Sequence, residues 1–152
     1  IMNETSEIKY LRDFTLKDYE RNKALFPKVI AKRAFHVICE NQRVLDAEQA
    51  LKSGDLIKFG ELMNQSHDSL RDNYEVSSLE LDFLVEIARS IPGCVGSRMT
   101  GAGFGGCTVS IMEEQSIPSY KDKLASYTQK FGYVPQVYVS IPKKGSRIVW
   151  KK

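Results

Sequence analysis

The sequence is poor in the features that mark special compartments or metal chemistry. It has only three cysteines, Cys39, Cys94 and Cys107, among 152 residues. An odd number without paired spacing makes neither a disulfide framework nor a zinc pattern. A reducing cytoplasm is the expected setting. No apolar run approaches the roughly 18 residues that a membrane span needs. Ile1–Ile8 lacks the basic and apolar regions of a signal peptide, and Met2 follows Ile1, so the chain reads as a cut segment of a longer protein. A net charge of +3 is too small to imply nucleic acid as a partner. The basic tail of Lys143, Lys144, Arg147, Lys151 and Lys152 reads as a solvated edge.

What remains is an ordinary globular composition, 42% hydrophobic and 27% charged, in a length that suits one domain with its own core. Leu16–Leu25 reads as one short helix, and Pro27 suits the first turn of the next. A long helix is expected over Lys28–Leu51. Ile30, Ala34, Val37, Val44 and Leu51 form its apolar face, while Arg33, Glu40, Arg43 and Gln49 face water. His36 and Glu40 make an exposed i, i+4 pair. Ser53-Gly54 ends that helix and Asp55 caps another. There, Leu56, Phe59, Met63, Ser66 and Leu70 step at helical spacing as far as about Asp72. Ser77-Ser78-Leu79-Glu80 reads as a capping box with Ser77 as the cap. It precedes a third helix that carries Leu81, Leu84, Val85 and Ala88 and stops at Pro92-Gly93.

The period then changes. Val95–Met99 reads as a strand, and Cys107, Val109 and Ile111 alternate as a second. Pro118–Phe131 is a helix closed by Gly132, and strands are expected through Val137, Val139 and Ile141 and over Arg147–Trp150. The expected class is α+β. A ferredoxin-like antiparallel sheet would have helices packed on one face, with extra helices at the N-terminal end.

The stretch richest in information is Ser97-Arg98-Met99-Thr100-Gly101-Ala102-Gly103-Phe104-Gly105-Gly106-Cys107. Four of the six residues from 101 to 106 are glycine. Such a run lets backbone take positive φ and come close to a ligand, and successive amides can point at an anion such as phosphate. Gly101-x-Gly103-x-x-Gly106 imitates the dinucleotide fingerprint, but that motif needs a helix after it, and here a strand follows. No Gly-Lys-Ser/Thr closes the run, so it is no P-loop either.

Gly96–Cys107 resembles the third motif of the GHMP kinases in the form that galactokinases use. Leu62–Ser77, followed by Glu80-Leu81-Asp82, resembles the galactokinase segment that precedes it. The resemblance runs from Tyr10 to Val149. It implies that residues 1–152 are the single C-terminal domain of a galactokinase, a cytoplasmic enzyme that phosphorylates galactose at C1 with ATP and Mg2+. In that family the catalytic aspartate and the serine-rich phosphate loop lie in an N-terminal domain. Nothing like that serine-rich loop occurs here, so Asp68, Asp72 and Asp82 are not promoted to the catalytic role, no metal-ligating residue is assigned, and the isolated segment is expected to be inactive.

The loop residues Ser97, Arg98, Thr100, Gly101, Ala102, Gly103, Phe104, Gly105 and Gly106 are expected near substrate and phosphate. Ser97 and Thr100 offer hydroxyls, and Arg98 either neutralises phosphate charge or anchors the loop. His67, Arg71, Asp72, Tyr74 and Glu75 are candidates for bracing the interdomain cleft, with a salt-bridged helix end as the other reading of Arg71, Asp72 and Glu75. For His67 a structural role is preferred, for Tyr74 packing, and Cys107 is expected to be buried and inert. A galactokinase-like regulator that binds sugar and ATP, a related hexosamine kinase, and a free-standing ferredoxin-like ligand-binding module remain open alternatives. No membrane partner is expected.

Overall fold

The computed structural model describes residues 8–143. Five α-helices and a two-stranded antiparallel sheet are found among them: α1 (Leu16–Asn22), α2 (Lys28–Ser53), α3 (Leu56–Ser69), α4 (Leu79–Arg89), β1 (Cys94–Thr100), β2 (Cys107–Met112) and α5 (Ile117–Phe131). The class is the α+β arrangement expected. The helix boundaries follow local chemistry. Thr15 caps α1 and Asp55 caps α3, each accepting from the amide three residues on. Gly54 and Gly132 close α2 and α5 in left-handed conformation. The cap of α4 is Ser78 rather than Ser77: its hydroxyl accepts from Leu81 N. Ser77 is freed to donate to Asp82 Oδ1 at 2.5 Å.

Helix α3 is the centre of the arrangement, packed between α2 and β1. This explains why it buries Leu62, His67 and Ser69 besides the expected Met63 and Ser66, and why Leu56, at its outer end, is exposed. Its approach to the sheet is set by two glycines. A Cβ on Gly60 would overlap the Val95 carbonyl, and one on Gly96 would overlap the Gly60 backbone. Glycine in mid-helix costs about 1 kcal/mol of intrinsic helix preference, so Gly60 is there for the close approach rather than for the helix.

The buried face of α2 differs from the expected stripe. Ala34, His36, Ile38 and Ala50 are buried, whereas Ile30, Val44 and Leu51 are exposed. Arg43 and Glu40 do not face water, because they turn inward to pair with each other and with the neighbouring helix. Tyr19, Ala34 and Ile38 form one small core with Phe14 and Phe35. Leu84, Ile87, Leu124 and Tyr127 form another, between α4 and α5, with Phe83, Phe131 and Val137 against it.

β1 pairs with β2 from Cys94↔Met112 to Thr100↔Cys107, with an irregularity between Cys94 and Gly96. The expected third strand is not formed among the described residues. Val137 packs on the α4–α5 core, while Tyr138, Val139 and Ile141 are 85%, 61% and 69% exposed. Alternating apolar residues make a strand only where a sheet edge accepts their amides, and residues 137–141 meet none. The expected strand Arg147–Trp150 lies outside the described residues. Cys107 is exposed rather than buried. Across the sheet, the pairs Ser97↔Ser110 and Met99↔Thr108 put serine and methionine on the inner side and turn Cys107 outward.

Candidate functional site

The glycine-rich run is the connection between β1 and β2. Gly101, Gly103, Gly105 and Gly106 have φ of 83°, 86°, 114° and 114°, and Phe104 joins them at 58°. A Cβ on Gly101, Gly105 or Gly106 would meet no atom within 4 Å, so that side of the loop is open. Gly103 differs: a Cβ there would collide with the Val76 carbonyl. The same carbonyl accepts the Phe104 amide at 2.8 Å. The loop is thus pinned at one point to the turn at residues 75–76 and is otherwise free to present its backbone. Phe104 is 75% exposed, and Thr100 and Ala102 are also exposed.

The strand leading into the loop is held along its outer edge by side chains, where a further strand would otherwise pair. Ser97 N donates to Asn64 Oδ1 at 2.9 Å, and Ser97 O accepts from Arg89 at 3.1 Å. Met99 N donates to His67 Nδ1 at 3.2 Å, and Met99 O accepts from Arg98 Nε at 3.0 Å. Four consecutive edge groups are therefore satisfied by side chains, three of which come from α3 and α4. Ser97 is completely buried with its hydroxyl 2.8 Å from that of Ser110, so it stitches the two strands together and offers nothing to the open side. Of the two roles open to Arg98, the contacts describe the anchor: it holds its own backbone, and its guanidinium lies 3.7 Å from Glu40 Oε1 on α2.

The candidates on α3 and the turn after it divide into two groups. His67 is 1% exposed and lies under the loop. Its Nε2 is 3.2 Å from Asp82 Oδ1. Burial, reinforced by Arg89, pushes its pKa below the usual histidine range despite Asp82, which acts the other way. Residues Leu70–Tyr74 form a π-turn, and Glu75 ends it in left-handed conformation at φ 57°. Two cations of α2 hold that end. Lys32 donates to Asp72 O and to Glu75, and Arg33 to Asn73 O and to Glu75. The C-terminal carbonyls thereby gain positive partners, and the bonds to Lys32 and Arg33 hold the Glu75 carboxyl below its ordinary pKa. Arg71 forms a fork with Asp72, which lowers the Asp72 pKa and raises that of Arg71.

Tyr74 stacks on His36 at 4.8 Å between ring centres, over a groove of about 280 Å³ that it lines with Leu11, Phe14, Phe26, Ile30 and Arg33. It therefore packs against α2 rather than reaching the loop. His36 is buried and bonded to Ser69 Oγ at 3.0 Å, not exposed beside Glu40. Sequence reasoning missed Glu40, Asn64 and Arg89. Each is a polar residue on a helix, and only the packing of α2, α3 and α4 brings it to the strand. The Glu40 carboxylate accepts from Ser66 Oγ at 2.5 Å. Arg89 also pairs with Asp68 at 2.9 Å and donates to Asn64 O. Among the described residues no three His, Cys, Asp or Glu side chains converge to hold a metal ion.

Comparison with known proteins places this geometry. The pattern of the family described as GHMP kinases C terminal matches residues 47–128. The chain is 47% identical to the galactokinase of Clostridium beijerinckii over 96% of its own length and 38% of the relative's. It is 51% identical to the galactokinase of Halalkalibacterium halodurans over 74% of its own length and 29% of the relative's. It thus spans well under half of the curated relatives it matches. It also superposes on the crystal structure of Lactococcus lactis galactokinase complexed with galactose. The TM-score is 0.82 at 38% identity, covering 88% of this chain and 35% of that one. The L. major mevalonate kinase, at 22% identity and a TM-score of 0.52, shares the fold. With the family pattern falling on the helices and strands that build the loop, the chain belongs to the GHMP kinase family.

Proposed function

We propose that residues 1–152 form the C-terminal domain of a galactokinase, which transfers the γ-phosphate of ATP to the C1 hydroxyl of galactose. The observation that carries this is the loop from Gly101 to Gly106, with its run of positive φ values and open side, in a chain similar to galactokinases along most of its length. Phosphoryl transfer relies on positioning and on stabilising charge. Backbone amides of the loop and the Thr100 hydroxyl are suited to that work, because glycine leaves no side chain between them and a bound group. The loop would form one wall of an active site between this domain and an N-terminal domain. His67, Arg71, Asp72, Tyr74 and Glu75 would serve behind that wall rather than at the reacting atoms.

Among the described residues no carboxylate cluster gathers that could hold Mg2+, so no step is assigned through the metal. The catalytic base and most nucleotide contacts belong, in this reading, to the N-terminal domain. This segment alone would accordingly be inactive and bind ATP weakly or not at all.

The test is ATP-dependent phosphorylation of a panel of hexoses by the longer protein, with this segment in parallel. Turnover of galactose by the longer protein alone supports the reading. Turnover of an N-acetylated hexosamine instead would make the protein a related hexosamine kinase, and binding of galactose and ATP without turnover would make it a regulator. A low-micromolar dissociation constant for ATP on the segment alone would contradict the division of labour between domains.

A further inference from the structure

Two contacts fix where the glycine loop begins and where it turns, and Asp82 lies close to both. At its start, Met99 N–H donates to His67 Nδ1. At Phe104, the amide donates to the carbonyl of Val76. Val76 is followed by Ser77, whose hydroxyl donates to Asp82 Oδ1, and the same oxygen lies 3.2 Å from His67 Nε2. Because Nδ1 receives a hydrogen bond from an amide, it carries no proton, and in the neutral ring the proton must sit on Nε2, which lies near Asp82 without a hydrogen-bond partner of its own. Met99 and His67 are both about fully buried, at 0% and 1% exposure, so water cannot replace either partner. The charged groups around the ring are Asp82 and Arg89 from α4, and Asp68 and Arg71 from α3 and the turn after it. Arg89 donates into the same strand edge at Ser97 O, so a cation already stands on that side of the ring.

We propose that His67 is a positioning residue for phosphoryl transfer: as the Nε2–H tautomer, it holds the Met99 peptide through Nδ1 and so sets the height at which the glycine loop meets the substrate. This rests on the galactokinase reading above. It differs from a purely structural role in a definite way, because only one ring nitrogen carries the effect. An asparagine places its side-chain oxygen where Nδ1 stands, and a glutamine places its terminal nitrogen where Nε2 stands. His67→Asn keeps the acceptor for Met99, and His67→Gln keeps only a nitrogen near Asp82.

The experiment measures kcat and KM for galactose and ATP on the longer protein and on both variants, and records the histidine nitrogen spectrum of the unaltered protein. His67→Gln is expected to lower kcat by on the order of 10- to 100-fold, the size of loss that small misplacement of positioning groups produces. Its KM values should move much less. His67→Asn is expected to recover most of that loss, and the His67 ring should show a pyridine-like Nδ1 and a pyrrole-like Nε2. Equal impairment of the two variants, unchanged kcat in His67→Gln, or a proton on Nδ1 would overturn the proposal. The spectrum needs no variant, so it decides the matter if neither variant folds. If the unaltered protein does not phosphorylate galactose, the functional reading fails. Amide exchange then decides the positioning role. Loss of protection confined to Met99–Phe104 in His67→Gln, restored in His67→Asn, upholds it, and unaltered exchange there overturns it.

Discussion

The Val76 carbonyl serves Gly103 and Phe104 at once: it accepts the Phe104 amide at 2.8 Å and stands where a Cβ on Gly103 would be. The turn after α3 and the glycine loop are thus in van der Waals and hydrogen-bonded contact at a single backbone atom. Glu75, the residue before Val76, holds a left-handed conformation at φ 57°.

Gly103→Ala and Gly101→Ala separate contact from conformation. Both residues have φ near 85°, at 86° and 83°, so both variants bear a similar backbone penalty, roughly 1–2 kcal/mol. Only Gly103 also meets an atom. Gly103→Ala is expected to destabilise by about 1–3 kcal/mol more than Gly101→Ala, the usual range for forced overpacking. Urea unfolding of the two variants checks this, and equal midpoints would refute it.

Gly60→Ala sets helix preference against packing. Alanine is favoured over glycine in a helix by about 1 kcal/mol. At this position its methyl group would overlap the Val95 backbone, which cannot rotate away. The variant is expected to be less stable, by about 1–3 kcal/mol net. A rise in melting temperature would show that α3 can lift from β1 at little cost.

Arg89→Lys keeps the charge and loses the fork. The guanidinium reaches Asp68, Asn64 O and Ser97 O together, which a single ammonium cannot do. The expected loss is about 1–2 kcal/mol, with part of the Arg89 surface still in water. Amide exchange should rise around Ser97 and Asn64 before it rises in α5. Uniform behaviour along the chain would count against this.

Stability should fall as the solution is acidified through the histidine range. His67 and His36 both have pKa values pushed below the ordinary 6.5 by burial. The unfolded chain therefore binds protons at a higher pH than the folded one. Unfolding free energy is then fully retained above about pH 6.5 and declines with falling pH until the folded-state pKa values are passed. For His67 the mechanism is specific, since a proton on Nδ1 would face the Met99 amide. Melting temperatures between pH 7.5 and 5 check the sign. His67→Asn should flatten the slope.

The helices were legible because their signals are local. Asp55 and Gly54 carry capping chemistry within a few residues, and Leu81, Leu84, Val85 and Ala88 lie on one face whatever surrounds them. The glycine run was legible as a loop for the same reason, since four glycines in six residues suit positive φ. The face of α2 was misread because Val44 and Leu51 look like core residues, whereas His36, Glu40 and Arg43 turn inward. Which face is covered depends on α3, whose placement along α2 no local pattern encodes.

By itself the sequence determined the helical segments, the β1–loop–β2 order and the family resemblance, all of which rest on spacing and residue type along the chain. Tertiary structure alone decided what the polar residues do. Asn64, His67, Arg89 and Arg98 are spread over 35 residues of chain numbering, yet they meet on one strand edge at Ser97 and Met99. That convergence has a physical cause. An unpaired strand edge buried beside helices must have its amides and carbonyls satisfied, and the side chains able to do so are chosen by how α3 and α4 cross the strand.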